Sequence, residues 1–289
     1  MKVVVIGADG QLGTDLCRKL DGFELVRLLE TDIDVTSMIS VRRAILPVHP
    51  DVVINTAAFH NVDECELEPD KAFAVNAIGA RNVAVVCQEI GAKVVFVSSD
   101  HVFGASPRTV PYTEFDQTGP VNVYGRSKVA GELAVRHLCL KHFIVRSCGL
   151  FGVAGPRGKR GNFVDTMVRL GHERSEIRVV ADQVTTVCYT LELAKKITQL
   201  IQTDLYGTFH IANHGVCSWF EYAREIIALS GSRAKVLPIT TAEYPQKAAR
   251  PAYSALDNYH LRLVGMDDMR PWREALKDYM VEKGYIKQS

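Results

Sequence analysis

The chain has 289 residues, of which 47% are hydrophobic and 23% charged, so it carries enough apolar mass for one large core with a smaller satellite unit. Its 34 lysines and arginines nearly balance its 33 aspartates and glutamates, which excludes a strong overall field for nucleic acid or an anionic membrane surface. No apolar stretch has the length of a signal peptide or a membrane span. The seven cysteines are scattered, without Cys-x-x-Cys or metal-ligand spacing, which favours free thiols. We expect a cytoplasmic protein, monomeric or homodimeric, that binds small molecules and no metal.

Apolar strands alternate with helical patterns through the first half of the chain. The β-branched run Val3–Ile6 is typical of a parallel strand covered on both faces. The other strands are predicted at 24–28, 51–55, 93–98 and 142–146, with helices at 12–20, 38–46, 71–90 and 124–138. This alternation predicts an α/β fold with a doubly wound parallel sheet of the Rossmann type, which binds ligands beyond the carboxyl ends of its strands.

The residue composition changes after Phe151. The segment Gly152–Gly161 is rich in glycine and basic residues, which predicts a loop. Helices are then predicted at 162–170, 190–201 and 218–229, and a strand at 207–212. We therefore predict a dinucleotide-binding Rossmann domain over residues 1–150, to which the chain returns around 190–213, and a smaller α/β lobe for the substrate, mainly within 151–289.

A glycine pattern, G-x-x-G-x-x-G, follows the first strand and opens the first helix. It comprises Gly7, Gly10 and Gly13, which allow a tight turn and let the N–H groups of the helix N-terminus approach a pyrophosphate. Its position favours cofactor binding, since a turn alone would need only one or two glycines. Arg27, near the end of the second strand, would contact the 2′-phosphate of NADPH. Glu30 would instead favour NADH if the strand ended slightly later, so NADPH is preferred with NADH as the alternative.

The segment Tyr124-Gly-Arg-Ser-Lys128 places a phenol and an ammonium four residues apart at the start of a helix. Both side chains then share one helical face, where Lys128 would lower the pKa of Tyr124 toward that of a general acid. Ser99 follows a strand at the same sheet edge and would hydrogen-bond a substrate carbonyl. Its neighbour Ser98 can equally cap a turn. Asp100 would orient these hydroxyls or contact a ligand, with turn capping equally open.

With these motifs in place, the chain resembles the dTDP-4-dehydrorhamnose reductase family, a group of extended short-chain reductases, along nearly its whole length. The resemblance rests on several matched segments: Gly7–Thr14, Asp34–Thr36, Asn55–Phe59 with Val62, Asp63 and Glu66, Val75–Ala77, Ser98–Phe103, Pro120–Gly125 with Lys128, Gly161–Phe163, Asp182–Gln183, and Arg250–Pro251 with Ser254 and Leu256.

The resemblance implies reduction by NAD(P)H of the 4-keto group of dTDP-4-dehydrorhamnose, or of another nucleotide-linked 4-keto-6-deoxy sugar. Ser99, Tyr124 and Lys128 would be the catalytic residues. The implied cofactor contacts are Gly7, Gly10, Gln11, Leu12, Gly13, Arg27, Asp34, Val35, Ala57, Ala58, Phe59, Tyr124 and Lys128. The implied substrate contacts are Ser99, Asp100, His101, Gly149, Asn162 and Arg250.

Three positions depart from the family, all on the substrate side. Gly149 stands where the family has a tryptophan against the sugar, which removes a large apolar contact. The segment 184–190 replaces the family's Gly-x-Pro-Thr. His101 replaces a tyrosine, and as a histidine it can titrate near neutral pH. These departures keep the sugar class but leave the particular sugar open.

Basic and aromatic residues of the second half are candidates for the nucleotide end of the substrate. Arg250 matches a family motif, whereas Arg157, Lys159 and Arg160 are equally typical of a solvated loop. Tyr253 and Trp219 would stack on a base, although large aromatic residues are more often part of a core.

Two other classes of function remain open from the sequence. Proteins of this fold also serve as non-catalytic NADP-binding regulatory subunits, against which the complete Ser-Tyr-Lys set argues. Sugar-nucleotide epimerases and dehydratases share the fold and the three residues. A dehydratase would need an acidic pair beside the strand-end serine, and Ser99-Asp100-His101 lacks it.

Overall fold

The computed structural model describes residues 1–155 and 161–287. The strands in this part of the chain are β1 (Lys2–Ile6), β2 (Glu24–Leu28), β3 (Val52–Asn55), β4 (Lys93–Ser99), β5 (His142–Ser147), β6 (Leu150–Phe151), β7 (Glu176–Val180), β8 (Val184–Thr185), β9 (Cys188–Tyr189), β10 (Gly207–His210), β11 (Cys217–Ser218) and β12 (Lys235–Ile239). The helices are α1 (Gln11–Lys19), α2 (Met38–Ile45), α3 (Val62–Leu67), α4 (Pro69–Phe73), α5 (Ala80–Ile90), α6 (Val123–Leu138), α7 (Phe163–Glu173), α8 (Thr190–Leu200), α9 (Trp219–Leu229), α10 (Tyr259–Leu263) and α11 (Trp272–Glu282).

Six parallel strands form the main sheet, in the order β2-β1-β3-β4-β5-β10. The chain leaves β1 toward β2 on one side and then places β3 on the other, so the strand order reverses between β1 and β3. Ligands of open parallel sheets bind at such a reversal, outside the carboxyl ends of the strands. The predicted doubly wound α/β fold is confirmed.

Both faces of the main sheet are covered by helices, which explains the continuous apolar composition of its strands. Val3, Val4 and Val5 of β1 are fully buried. One face packs against α1 and α8, and the opposite face packs against α2, α5 and α6. This double cover buries the β-branched strands and leaves the strand ends as the place for polar chemistry.

The helix predicted over 71–90 is interrupted in the structure. Pro69 begins α4, and residues Ala74–Gly79 form a π-helical turn before α5. At Gly79 a Cβ atom would lie 2.8 Å from Cγ2 of Val35, so this turn approaches the loop after β2 too closely for a side chain. The turn carries Asn76, which is fully buried.

The second half of the chain contributes both to the main sheet and to a separate core. The strand β10 pairs with β5, and α8 packs against α1. The parallel pair β7–β12 packs with α7, α9 and α11 around the buried rings of Tyr222, Trp272 and Tyr279. Of β7, β10 and β12, the sequence predicted only β10, with a range that is somewhat too long. No helix within 1–155 and 161–287 is long and apolar enough to cross a membrane.

Candidate active site

The glycine turn joins β1 to α1 at the point where the strand order reverses. Gly7 has a φ of +77°, and a Cβ there would lie 2.7 Å from Oγ1 of Thr56. At Gly13 a Cβ would lie 2.0 Å from the carbonyl oxygen of Gly7, so α1 begins in direct contact with the strand end. Gly10 is the N-cap and makes no side-chain capping bond. The turn therefore fits a dinucleotide pyrophosphate, because Gly7, Gly10 and Gly13 carry no side chain and the first turn of α1 lacks a side-chain cap.

The other predicted cofactor contacts lie in the loops that follow β2 and β3, the two neighbours of β1: Asp34, Val35, Ala57, Ala58 and Phe59. The carboxylate of Asp34 accepts hydrogen bonds from the N–H and hydroxyl of Thr36, at 2.9 and 2.7 Å. The amide of Asn76 holds the backbone of Phe59 through two bonds, at 2.9 and 3.0 Å. Both loops are thus fixed beside the glycine turn. The described residues contain no cluster of three metal-ligating side chains.

Arg27 does not reach the glycine turn in the structure. It pairs with Val5 inside the sheet, and its side chain hydrogen-bonds Cys17 near the carboxyl end of α1. The glycine turn is at the opposite end of that helix. The last residue of β2 is Leu28, whose carbonyl oxygen accepts the N–H of Gly7 at 2.8 Å.

The strand-end serines differ in their contacts because successive side chains of a strand point in opposite directions. Ser98 donates to Glu132 at 2.5 Å. Ser99 donates to Asp100 at 3.0 Å and lies beside the phenol of Tyr124. The structure therefore brings Ser99, and not Ser98, to Tyr124.

Helix α6 carries Tyr124 and Lys128 and lies very close to the end of β4. A Cβ at Gly125 would lie 2.1 Å from the carbonyl oxygen of His101, so glycine is required for this approach. The N-cap of this helix is Asn122, whose side-chain oxygen accepts the N–H of Gly125 at 2.8 Å. These contacts set Tyr124 beside Ser99.

The pKa values of the two motif residues shift in opposite directions. Burial raises the pKa of Tyr124, and the neighbouring hydroxyl of Ser99 opposes that effect. Burial lowers the pKa of Lys128 to about 8, opposed by the charge of Glu132. The ammonium of Lys128 donates to the carbonyl of Val97 at 2.6 Å. The expected low pKa of Tyr124, near that of a general acid, is thus wrong for this structure, because desolvation of the phenol dominates.

Asp100 links three segments of the chain. Its carboxylate accepts hydrogen bonds from the hydroxyls of Ser99, Thr185 and Ser254, at 3.0, 3.2 and 2.6 Å. Only one of these partners adjoins it in sequence. The aspartate therefore fixes the serine at the end of β4 against β8 and the carboxyl-terminal part of the chain.

His101 lies edge-on to Tyr124, with ring centroids 5.5 Å apart. The amide nitrogen of Asn122 is 2.9 Å from Nδ1 of His101 and also donates to the carbonyl of Ala249 at 2.8 Å. Because that nitrogen is a donor, Nδ1 accepts and the proton of the neutral ring sits on Nε2. Burial lowers the pKa of His101, partly opposed by Asp100, so the ring is neutral at neutral pH.

Gly149 explains two of the departures from the family together. It has a φ of +46°, and a Cβ there would lie 2.8 Å from Cγ1 of Val187 and 3.1 Å from the carbonyl oxygen of Thr186. The unusual segment 184–190 therefore packs against the position that a larger residue at 149 would need. The glycine at position 149 and the altered segment 184–190 are therefore in direct contact with each other.

The remaining predicted substrate contacts are bonded to protein groups. Asn162 caps α7 and donates to the hydroxyl of Tyr279 at 2.9 Å and to Gln11 at 3.3 Å. Arg250 forms an ion pair with Asp63 at 3.1 Å. Tyr253 lies near Tyr112, and Trp219 packs on Phe163. Arg157, Lys159 and Arg160 lie outside the described residues.

The sequence reasoning gave no role to five residues that hold this site, although two of them, Asn122 and Ser254, lie in matched segments: Asn122, Glu132, Arg146, Thr185 and Ser254. Two signals were readable in advance. Glu132 comes four residues after Lys128, which places it on the same helical face. Arg146 is a charge inside an apolar strand, and a buried charge requires a partner.

A doubly wound sheet, a glycine turn at its reversal point and a Ser-Tyr-Lys set at the same edge define a Rossmann-type enzyme of the extended short-chain reductase class. A family model described as "RmlD substrate binding domain" matches residues 1–284. The chain belongs to this family, that of the dTDP-4-dehydrorhamnose reductases.

Three similar proteins cover nearly the whole chain. The "Spore coat polysaccharide biosynthesis protein SpsK" of Bacillus subtilis is 40% identical over 284 residues, 98% of each chain. A dTDP-4-dehydrorhamnose reductase of Mycolicibacterium smegmatis is 38% identical, over 96% of this chain and 84% of its own. The crystal structure of a dTDP-4-dehydrorhamnose reductase of Bacillus anthracis, in complex with NADP, is 43% identical with a TM-score of 0.91, over 98% of this chain and 100% of its own.

Proposed function

We propose that this protein is an NADPH-dependent reductase that converts the 4-keto group of a nucleotide-linked 4-keto-6-deoxy sugar to a hydroxyl. The favoured reaction is dTDP-4-dehydrorhamnose to dTDP-rhamnose. The observation that carries the proposal is the placement of Ser99 beside Tyr124, with Lys128 one helical turn later on α6, at the sheet edge that holds the glycine turn. The family and the NADP complex of the Bacillus anthracis relative support it.

The cofactor site is proposed at the glycine turn and the loops after β2 and β3. NADPH would supply a hydride there. The N-terminus of α1 suits the pyrophosphate, because its partial positive charge and uncapped N–H groups favour an anion. NADPH is the preferred cofactor and NADH the alternative.

The catalytic roles follow from the surroundings of each side chain. The Ser99 hydroxyl, whose single proton points to Asp100 in the free protein, would turn on substrate binding to donate to the keto oxygen and polarise the carbonyl. Tyr124 gives its proton to that oxygen as the carbon accepts hydride, and burial keeps the phenol protonated until then. Lys128 supplies the positive charge that stabilises the resulting phenolate. The proton and the hydride together account for the two hydrogens of the product.

The substrate side is proposed to be formed by Asp100, His101 and the segment around Gly149. Asp100 orients Ser99, and Nε2 of His101 offers a donor to a sugar oxygen next to Tyr124. Residues 1–150 with the return at 190–213 would bind the cofactor, and most of 151–289 the nucleotide sugar. The unpaired state of all seven cysteines is typical of a reducing compartment and supports a cytoplasmic location.

A second candidate substrate is a 4-keto-6-deoxy sugar of different stereochemistry or nucleotide. The packing of Val187 against Gly149 favours it, because this position is occupied differently from the family pattern. The reaction type and the catalytic residues would be the same.

The test is consumption of NADPH and of NADH with a panel of nucleotide-linked 4-keto-6-deoxy sugars, with the products identified by NMR. We expect turnover with NADPH, and loss of turnover in Tyr124→Phe while that variant folds and binds NADPH. Turnover of another panel member alone would select the second candidate. Cofactor binding without any turnover would overturn the proposal in favour of a regulatory NADP-binding protein.

A further inference from the structure

A buried ion pair lies directly behind the three catalytic residues. The guanidinium of Arg146 on β5 binds the carboxylate of Glu132 on α6 through two bonds, at 2.8 and 2.6 Å. Both side chains are only 3% exposed. The hydroxyl of Ser98 donates to the same carboxylate at 2.5 Å. A buried pair of this kind adds little net stability compared with apolar residues, so its location calls for another explanation.

The far end of this network is electrically neutral. Nδ1 of His210 lies 3.0 and 3.2 Å from the carbonyl oxygens of Tyr112 and Asp257, so it carries the proton and Nε2 faces Arg146 as an acceptor, at 3.4 Å. Burial and the nearby Arg146 lower the pKa of His210 to about 3. Glu132 therefore supplies the negative charge of the network.

Glu132 acts on two catalytic residues in different ways, by a hydrogen bond to Ser98 beside Ser99 and by its charge on Lys128. It comes one helical turn after Lys128, on the same face of α6, and Ser98 directly precedes Ser99. Among the described residues, the groups whose charge acts on Lys128 are Glu132 and Cys65 of α3. Burial raises the pKa of the Cys65 thiol to about 11, so it is neutral. From β4, Lys128 meets the carbonyl of Val97 and, 4.4 Å away, the ring of Phe96.

Building on the proposed reductase function, we infer that Glu132 is a positioning residue for the reduction. Its carboxylate fastens the end of β4 to α6 through Ser98, which sets the distance from Ser99 to Tyr124. The same carboxylate keeps Lys128 in its ammonium form. Arg146 holds the carboxylate in place from β5 through its two hydrogen bonds.

The test uses the pair variant Glu132→Gln with Arg146→Gln. It removes both charges at once, so no unpaired charge is left buried. NMR of the lysine side-chain nitrogens follows the titration of Lys128 without substrate, with Lys128→Met for assignment. We expect Lys128 to titrate about one pH unit lower than in the parent, because an adjacent opposite charge raises the pKa of an amine by at least that much. The alkaline limb of kcat should move by the same amount.

Two further variants separate the electrostatic role from a general loss of stability. Lys196→Met removes another buried lysine, which lies on α8 and donates to the carbonyl of Met266 at 2.6 Å. We expect it to leave the titration of Lys128 and the pH profile unchanged. Glu132→Asp keeps the charge and should restore the parent titration.

Ser98→Ala tests the positioning role with both charges kept. We expect kcat to fall about tenfold, the typical effect of losing one hydrogen bond to a charged group, with the alkaline limb unmoved. A folded pair variant whose Lys128 titrates as in the parent overturns the electrostatic role. A Ser98→Ala protein with the kcat of the parent overturns the positioning role. This second test does not depend on whether the pair variant folds. Absence of turnover in the parent, beside a shifted Lys128 titration, refutes the proposed function instead.

Discussion

At the scale of the residue, burial gives Tyr124 and Lys128 different protonation behaviour. The phenol keeps its proton well into the alkaline range, whereas the amine loses its proton near pH 8. A proton donor must be protonated when hydride arrives, and the ammonium must be charged to stabilise the phenolate. Lys128, and not Tyr124, should therefore limit the reaction at alkaline pH.

The first prediction concerns the pH dependence of kcat. Lysine is charged below its pKa, so activity should be full below about pH 8 and fall as the pH rises through that value. In Lys128→Met we expect kcat to fall about a hundredfold, in the range of lost acid–base assistance, and the limb near pH 8 to vanish. Steady-state kinetics across the pH range measure both. If kcat of Lys128→Met still fell near pH 8, the titration would belong to another group.

The second prediction concerns His101 as a donor to the sugar. His101→Phe removes Nε2–H, so KM for the sugar nucleotide should rise about fivefold, the usual effect of one neutral hydrogen bond. The Kd for NADPH, measured by fluorescence, should stay unchanged. His101→Gln keeps a donor and an acceptor for Asn122 and should lie close to the parent. An equal loss of NADPH affinity would show that the effect is structural.

The proposed catalytic residues could be found in the sequence because the Tyr-x-x-x-Lys spacing puts two side chains on one helix face, and the end of β4 puts Ser99 at the sheet edge. It did not place Arg27, since the direction of a side chain depends on strand parity and on where β2 ends. Asn162 was predicted as a substrate contact, yet it forms a capping box with Asp165. That local pattern was readable and competes with a ligand role.

At the scale of the element, the glycine turn sets how closely α1 approaches β1. The contact depends on Gly13, whose absent Cβ leaves room for the carbonyl of Gly7. Gly10 is different, because a Cβ there would still lie 3.2 Å from that carbonyl. One glycine therefore serves packing, and the other mainly leaves the helix N-terminus open.

The third prediction contrasts these two glycines. Gly13→Ala should lower the free energy of unfolding by about 3 kcal/mol, the upper range of overpacking. Gly10→Ala should lower it by less than about 1 kcal/mol but weaken NADPH binding about tenfold or more, because its methyl group occupies space at the pyrophosphate. Chemical denaturation and cofactor titration measure the two effects. Normal NADPH binding by a folded Gly10→Ala would place the pyrophosphate elsewhere.

The main sheet was predictable because its strands are continuous apolar runs between turns. The pair β7–β12 was not, since charged residues (Glu176, Arg178 and Lys235) and Pro238 interrupt its apolar runs and the two strands are distant in sequence. The π-helical turn before α5 was also missed. The turn brings Gly79 close to Val35, a tertiary contact that helical periodicity does not report.

At the scale of the whole molecule, polar side chains join segments that are far apart in the chain. Asp100 binds Thr185 and Ser254, and Asn162 links α7 to Gln11 of α1 and to Tyr279 of α11. The site therefore depends on the relative placement of both halves of the chain. Sequence patterns report local order and carry little information about such long-range bonds.

The fourth prediction tests the contacts of Asp100. Asp100→Asn replaces one of two carboxylate oxygens that accept from three hydroxyls with an amide NH2 group that cannot accept, so the free energy of unfolding should fall by about 2 kcal/mol. Ser254→Ala removes one of these bonds and should cost about 1 kcal/mol. Denaturation under identical conditions compares the two. Equal stability of Asp100→Asn and the parent would contradict the linking role.

The most direct test of the account is to follow the transferred hydrogen. NADPH carrying deuterium at the transferable position of its nicotinamide is incubated with dTDP-4-dehydrorhamnose, and the product is analysed by NMR. We predict that deuterium appears at C4 of the sugar with the parent protein, and that Tyr124→Phe forms no labelled product in the same time. Unconsumed NADPH, or labelled product formed equally well by Tyr124→Phe, would contradict the account.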